Sequence, residues 1–504
     1  MNRARCYKPV LIGLALACLG MVFFAQRQLD GARVKLGLTR LPPLENAPPV
    51  LAFTTEALGG FRGLIANALW IRASELQDEG KYFEMVQLAD WITKLMPHFK
   101  AVWVHQAWNL VYNISIKFND PRERWRWVQR GIELLRDQGL LYNPQETELY
   151  RELAWFYQHK IGSFLDDAQM YFKRYWAEEM VKALGPTGRP DYDELMHPQT
   201  DAAKARVKLL EEKLKLHPRV MKEADDTYGP FDWRLPEAHA VYWAMLGLKK
   251  AKREDLIVLR RVIYQSMKES FERGRLIDMT YTPTVELGPN VEIVKNTNRA
   301  YEDMMSEDPP NREHMSIAHR NFLAQAVYTL YTNNRLAEAA RWYNYLGEKY
   351  PDKLLLFNQP DSVPARLSLE QFVIARVTED INETSQDRVT MIVEGMMGSS
   401  FYNLALGDED QAAGYALLAQ KIWNTYQKKV TAYAAQAVRV GLAPFEKIRS
   451  SALNRMLDPA QGLVPLLADQ LRTRLRLPVG ATNAPTILAP ATTNAPAASA
   501  QSPP

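Results

Sequence analysis

From about Thr54 to Arg476 the chain carries almost unbroken apolar periodicity of the 3.6-residue kind, interrupted chiefly by prolines and glycines. Long alternating runs of β-branched residues are missing. A chain patterned this way buries its apolar surface by packing helix on helix. The best strand candidate is 279–294 (MTYTPTVELGPNVEIV), where Gly288-Pro289-Asn290 would turn a small β-hairpin. The expected fold class is therefore all-α, a degenerate helix-pair solenoid with that hairpin as its β excursion. A 47% share of apolar residues is enough for a packed core.

Prolines after helical segments, at Pro97, Pro144, Pro186 and Pro351, set the register of a repeat. A first unit runs from Leu69 through Ala73, Leu76, Gly80, Tyr82 and Ala89 to Pro97. Others begin at Trp103 (Ala107, Leu110) and at Tyr150 (Leu153, Ala154, Tyr157). A fourth runs Leu323, Ala326, Val327, Leu330, Ala339, Tyr343 to Pro351, and a fifth runs Met396, Ser400, Gly407, Ala412, Ala416. This spacing resembles the tetratricopeptide repeat. The resemblance implies paired helices that approach through small residues, stacked into an array that works by binding. The second and third units exceed the family's thirty-four residues, and the fifth lacks its proline.

Five of the twelve tryptophans lie between Pro97 and Gly162: Trp103, Trp108, Trp125, Trp127 and Trp155. In tetratricopeptide arrays the residue five after the opening position of each first helix faces the concave groove. Carried over, that column reads Ser74, Trp108, Trp155, Tyr328 and Phe401. The column beside it reads Trp70, Val104, Arg151 and Ala324. The resemblance thus implies a candidate binding groove of Trp70, Trp108, Arg151, Trp155, Tyr328 and Phe401. The lysine and asparagine with which some family members clamp a peptide carboxylate are missing. The competing reading makes these aromatics core between repeats, the commoner fate of tryptophan.

Arg3, Arg5 and Lys8 precede an uncharged run, Val10 to Ala25, which as a helix is about 24 Å long. Phe23 spoils a signal-peptidase site, so the run is expected to stay as a single-pass membrane anchor with the body periplasmic or extracytoplasmic. Ala15-Leu16-Ala17-Cys18 offers lipidation at Cys18 as an alternative. The expected organisation is 1–30 basic tail and anchor, 31–53 Pro-rich linker and 54–186 repeats. An irregular helical segment comes next at 187–310, then repeats at 311–477 and a disordered Ala/Pro/Thr-rich tail at 478–504.

Little points to chemistry. Both cysteines, Cys6 and Cys18, lie in the first twenty residues, and no phosphate loop, nucleophile elbow or metal-ligand spacing is present. The pairs His98/His105 and His314/His319 make poor metal sites. The acidic pairs Asp166-Asp167, Glu178-Glu179, Glu211-Glu212 and Asp225-Asp226 read as solvated faces. Arg122, Arg124, Arg126 and Arg130 interleave with Trp125 and Trp127. Trp127 is expected in the core with the arginines as its wet edge, and a net charge of +4 argues against nucleic acid. No cofactor is expected. The functional expectation is a membrane-anchored scaffold that binds another protein of a bacterial-type envelope and performs no catalysis. The alternatives are a helical enzyme or binding protein acting on glycan, and a structural spacer. An isolated carboxylate pair beside Trp108 or Trp155 would favour the enzyme.

Overall fold

The computed structural model describes residues 4–35, 62–163, 165–279, 285–356, 362–378, 386–433, 442–459 and 462–477, whose regular structure is helical apart from one two-stranded sheet. The linker residues 36–53 and the tail 478–504 lie outside the described residues. The chain divides into two compact units. The first comprises Met1–Tyr175, Asp193–Met221 and His239–Val262; the second comprises Trp176–Tyr192, Lys222–Ala238 and Ile263–Pro504.

Helix α1, Ala4–Lys35, contains the apolar run and continues past it. Its side chains Leu19, Met21, Val22, Phe23 and Phe24 are 61–67% exposed. Among the described residues, no helix is long and apolar enough to cross a membrane.

In the first unit, α2 (Arg62–Asp78) packs on α3 (Tyr82–Leu95) through Ala66, Ala73, Leu76, Met85, Ala89 and Ile92. The alanines let the helices come close, and Gly80 makes the turn at φ +72° while the Lys81 N–H returns to the Leu76 carbonyl. Then come α4 (Lys100–Trp108), α5 (Pro121–Glu133) and α6 (Thr147–Trp155). Each of these three runs on into a π-helical turn: Asn109–Ile114, Leu134–Gly139 and Phe156–Gly162. Gly131 lets α5 reach α4 and its π turn, since a Cβ there would meet Val111 Cγ2 at 2.4 Å and the Ala107 carbonyl at 3.0 Å.

Downstream lie α7 (Gln169–Leu184), α8 (Tyr192–Met196), α9 (Asp201–Lys208), a fourth π turn (Leu209–Leu214), α10 (Pro218–Tyr228), α11 (Pro236–Leu248) and α12 (Arg253–Arg273). From α8 onward these helices lie in the 187–310 segment expected to be irregular and helical.

The hairpin is displaced from its predicted place. Strand β1 is Arg275–Asp278, upstream of the predicted segment, and pairs antiparallel with β2, Glu286–Gly288. Gly288-Pro289-Asn290 therefore ends the second strand instead of turning between two. The Asn290 N–H is drawn to the Phe271 carbonyl at 3.1 Å, so the proline falls where no ladder partner is required.

The second unit continues with α13 (Val294–Glu307), α14 (Arg312–Thr332), α15 (Leu336–Lys349), α16 (Leu369–Thr378), α17 (Gln386–Leu406), α18 (Glu409–Tyr433), α19 (Phe445–Met456) and α20 (Pro465–Arg474). The pairs α14/α15 and α17/α18 turn as α2/α3 does, through a left-handed residue, Asn334 in one and Gly407 in the other. Their N–H groups close onto the helix ends in the same way, Arg335 to Leu330 and Asp408 to Asn403.

Two proline- and glycine-bearing stretches, 185–190 (GPTGRP) and 229–236 (GPFDWRLP), meet in this unit. The Trp233 N–H bonds the Gly188 carbonyl at 2.9 Å, and Arg234, held by both oxygens of Asp232, reaches the carbonyls of Pro186 and Leu276. Asp225, expected on a solvated face, is instead half-buried, accepting from the Tyr192 hydroxyl, the Trp233 indole and the Phe231 N–H. Burial pushes its carboxyl up, against the pull of those donors.

His319, fully buried on α14, belongs to a closed chain of hydrogen bonds. Its Nδ1 lies 2.8 Å from the Tyr350 hydroxyl and its Nε2 2.7 Å from Asn298 Oδ1. The Asn298 amide donates to Glu302, which also accepts from Tyr345 and Lys349. A neutral imidazole satisfies the whole chain, donating at Nε2 and accepting at Nδ1. Burial holds His319 down to about 4 against the pull of Glu302. Since the unfolded chain binds that proton near pH 6.5, stability is complete above about 6.5 and falls as the pH drops toward 4, by roughly 3 kcal/mol in all. Urea unfolding at pH 7 and pH 4.5 should show most of that loss in the parent and little of it in His319→Gln. Equal losses in both would refute the assignment.

Candidate functional site

The first unit gathers the tryptophans of the predicted column by repeating itself. Pro97, Trp103, Ala107 and Trp108 recur forty-seven residues later as Pro144, Tyr150, Ala154 and Trp155, the separation that also divides Tyr112 from His159. Equivalent contacts recur with them. The Trp103 indole donates to the Pro97 carbonyl at 2.8 Å, and the Tyr150 hydroxyl donates to the Pro144 carbonyl at 3.0 Å. Both helices pass into a π turn immediately after their final tryptophan, Trp108 in one and Trp155 in the other. Each tryptophan then stacks on the ring four residues on: Trp108 on Tyr112 at 4.4 Å and 30°, Trp155 on His159 at 4.5 Å and 14°.

A hydrogen bond joins the two stacks, the Tyr112 oxygen lying 3.0 Å from His159 Nδ1. Burial first, then the Glu152 carboxylate, raises the Tyr112 hydroxyl far above its usual range, so it stays a donor. Burial, with Lys160 next to it, lowers His159 and favours the neutral ring. The imidazole therefore accepts at Nδ1 and carries its proton on Nε2, where no acceptor is found among the described residues.

Beneath the rings lies a charged layer. The Trp108 indole donates to Glu152 Oε2, whose other oxygen takes the Arg151 guanidinium. Burial raises the Glu152 carboxyl, against Trp108 and Arg151. Lys160 sits over the Tyr112 ring at 5.2 Å and pairs at 2.6 Å with Asp166, which also holds Arg124 at 3.1 Å. Asp166, too, departs from its expected solvated place. It is buried because the loop after the third π turn folds back onto Lys160, six residues upstream.

No family model, curated protein or solved structure matches the chain. What it offers a ligand must be read from these residues.

Trp108 is 36% exposed, Arg151 and Trp155 are half-buried, and the three stand together around Glu152 and His159. Trp70, also half-buried, packs on His105 (5.1 Å) and Phe99 (6.0 Å). Tyr328 and Phe401 belong to the second unit. Tyr328 is half-buried there, its hydroxyl pushed up to about 12 by burial, while Phe401 is 2% exposed and forms core. Phe401 thus takes the core role that competed with the groove. His98 bonds the Tyr142 carbonyl, and His105 bonds Gln77.

Trp127 is corrected from core to half-buried edge. Trp125 is the buried ring, packed on Phe172, because Arg124 beside it turns inward to Asp166. Tyr112, Glu152 and His159 escaped sequence reasoning. The signal that would have found Tyr112 and His159 is the forty-seven-residue offset itself, legible as P-x5-[WY]-x3-A-W-x3-[YH] at both places, whereas Glu152 falls between its fixed positions.

Proposed function

We propose that the chain is a membrane-anchored helical-repeat scaffold of a bacterial-type envelope, whose first unit binds another polypeptide and which performs no chemistry of its own. The observation that carries this is the duplicated Trp–aromatic stack with Trp108 open to solvent. Rigid aromatic surfaces gain much contact area for little lost side-chain entropy. The free His159 Nε2–H and the Arg151 guanidinium add donors, suited to the carbonyls and carboxylates of a peptide. Tetratricopeptide-like pairing supports the solenoid reading: three helix pairs turn through a left-handed residue at the same place. The exposed apolar side chains from Leu19 to Phe24 on α1 support the anchor.

Replacing Trp108 and Trp155 together by Ala should lower recovery of a crosslinked partner by about thirtyfold, the loss of roughly 2 kcal/mol typical of an aromatic anchor. Far-ultraviolet circular dichroism should not change. Loss of helicity would make the pair core, and undiminished recovery would place the groove elsewhere. Protease treatment of intact spheroplasts tests the topology, since a protected body would overturn the extracytoplasmic assignment.

A further inference from the structure

One edge of the first unit is built unlike the rest of its surface. Phe83, on the first turn of α3, is 54% exposed, and Ile116, in the short turn that ends the first π segment, is also 54% exposed. The Phe83 ring meets Trp127 at 5.7 Å and Phe118 at 6.4 Å, and Phe118 stacks on Trp127 at 6.0 Å. Three rings from three elements thus form one cluster whose outermost member projects into solvent.

Cations lie on and beside the cluster. Arg130 lies over Trp127 at 5.7 Å, and Lys117 lies over Tyr82 at 5.2 Å. Lys117, Arg122 and Arg130 have no carboxylate within ion-pair distance among the described residues. Two nearby acids are occupied otherwise: Asp120 caps α5 through the Arg122 N–H, and Glu123 pairs with Arg126 at 2.7 Å.

We propose that this edge rests on an anionic lipid bilayer, with Phe83, Phe118 and Trp127 at headgroup level and Lys117, Arg122 and Arg130 against lipid phosphates. Unpaired cations call for an anionic partner. Phe83 and Ile116 project from the surface instead of lining a groove, so they suit a deformable medium better than a peptide, and Trp and Phe beside Arg and Lys are the residues favoured at a bilayer interface. The placement rests on the anchor proposed above. The 26 residues between Lys35 and Arg62 reach at most about 90 Å, and Phe83 comes twenty-one residues later, so the tether lets this edge reach the bilayer.

The test uses the full chain with Cys6→Ser and Cys18→Ser, and with Asn119→Cys beside the cluster carrying an environment-sensitive dye. It is reconstituted in nanodiscs of brominated phosphatidylcholine, with or without one-third phosphatidylglycerol. The dye should be quenched in the anionic discs and not in the neutral ones. High salt, or Lys117→Glu/Arg122→Glu/Arg130→Glu together, should remove most of the quenching while a dye at Leu141→Cys stays silent throughout. A chain that enters both kinds of disc with a silent dye at 119 overturns the edge and leaves the anchor standing. A chain held only by anionic discs and released by salt supports the edge and overturns the anchor. A chain held by neither overturns both. A dye at 119 that answers a synthetic Leu/Glu helix and not lipid assigns the edge to a protein and overturns the proposal.

Discussion

Replacing Gly414 by Ala should destabilise the second unit by roughly 3 kcal/mol or more, beyond most single substitutions. Gly414 lies on α18 where that helix crosses the end of α14. A Cβ built there would fall 1.9 Å from the Thr332 carbonyl oxygen, 2.3 Å from its carbon and 2.9 Å from its Cα. These are backbone atoms, so no rotamer change relieves the overlap and the helices must separate. Separation would open the packing around Ala412, Leu330 and Tyr331, all at most 5% exposed. Gly395, on α17, has no atom within 4 Å of its Cβ position, and Gly395→Ala should be neutral or stabilise by about 0.5–1 kcal/mol. Thermal and urea unfolding of the two variants side by side decides the matter. Comparable stability of both would show that α18 does not cross α14 this closely.

Asp166→Asn should cost the first unit about 3–5 kcal/mol, because it leaves the Lys160 ammonium buried without its counter-charge. The side chains of Lys160 and Asp166 are 4% and 6% exposed, and Arg124 adds a second cation at 13%. Burial raises the Asp166 carboxyl, but Lys160, the Ala168 N–H and Arg124 outweigh it and hold the group below its usual value. The contribution of this carboxylate is therefore present above the unfolded value of about 3.9 and is lost as the pH falls through the lower folded one. Lys160→Met with Asp166→Leu should recover part of the loss, since neither charge is then stranded. A double variant no better than the sum of the singles would contradict the pairing. The same variants bear on binding, because Lys160 also lies over Tyr112 and supports the linked stacks.

The helical class could be read from periodicity alone, and Trp108 and Trp155 from the inward column that the tetratricopeptide resemblance implies. Their stacking partners could not. A thirty-four-residue period does not fit a stretch whose own period is forty-seven, so Tyr112 and His159 pass as ordinary helix residues. Asp166 and Asp225 look alike in sequence, each followed by a second aspartate. Their burial depends on Lys160 and Arg124 in one case and on Tyr192 and Trp233 in the other, and Arg124 and Tyr192 lie 42 and 33 residues away. Phe401 shares an offset with Trp108 yet is core, which shows that a column copied from a repeat family gives the direction of a side chain without what covers it. The hairpin slipped upstream because Gly-Pro-Asn satisfies turn chemistry equally well at the end of a strand.

The π turns carry a lesson about length. Each holds one residue more than the α-helix around it requires, and one extra residue rotates the downstream part of the helix by about 100°. In the first unit this excess is stored inside helices, after Trp108 and Trp155 among other places, and not in loops. A one-residue deletion within 109–114 should therefore leave a continuous helix whose downstream face is turned away from its neighbour, a far harsher change than the same deletion in a connecting turn. Relatives of this protein are then better sought with gaps allowed in mid-helix, where alignments ordinarily penalise them most.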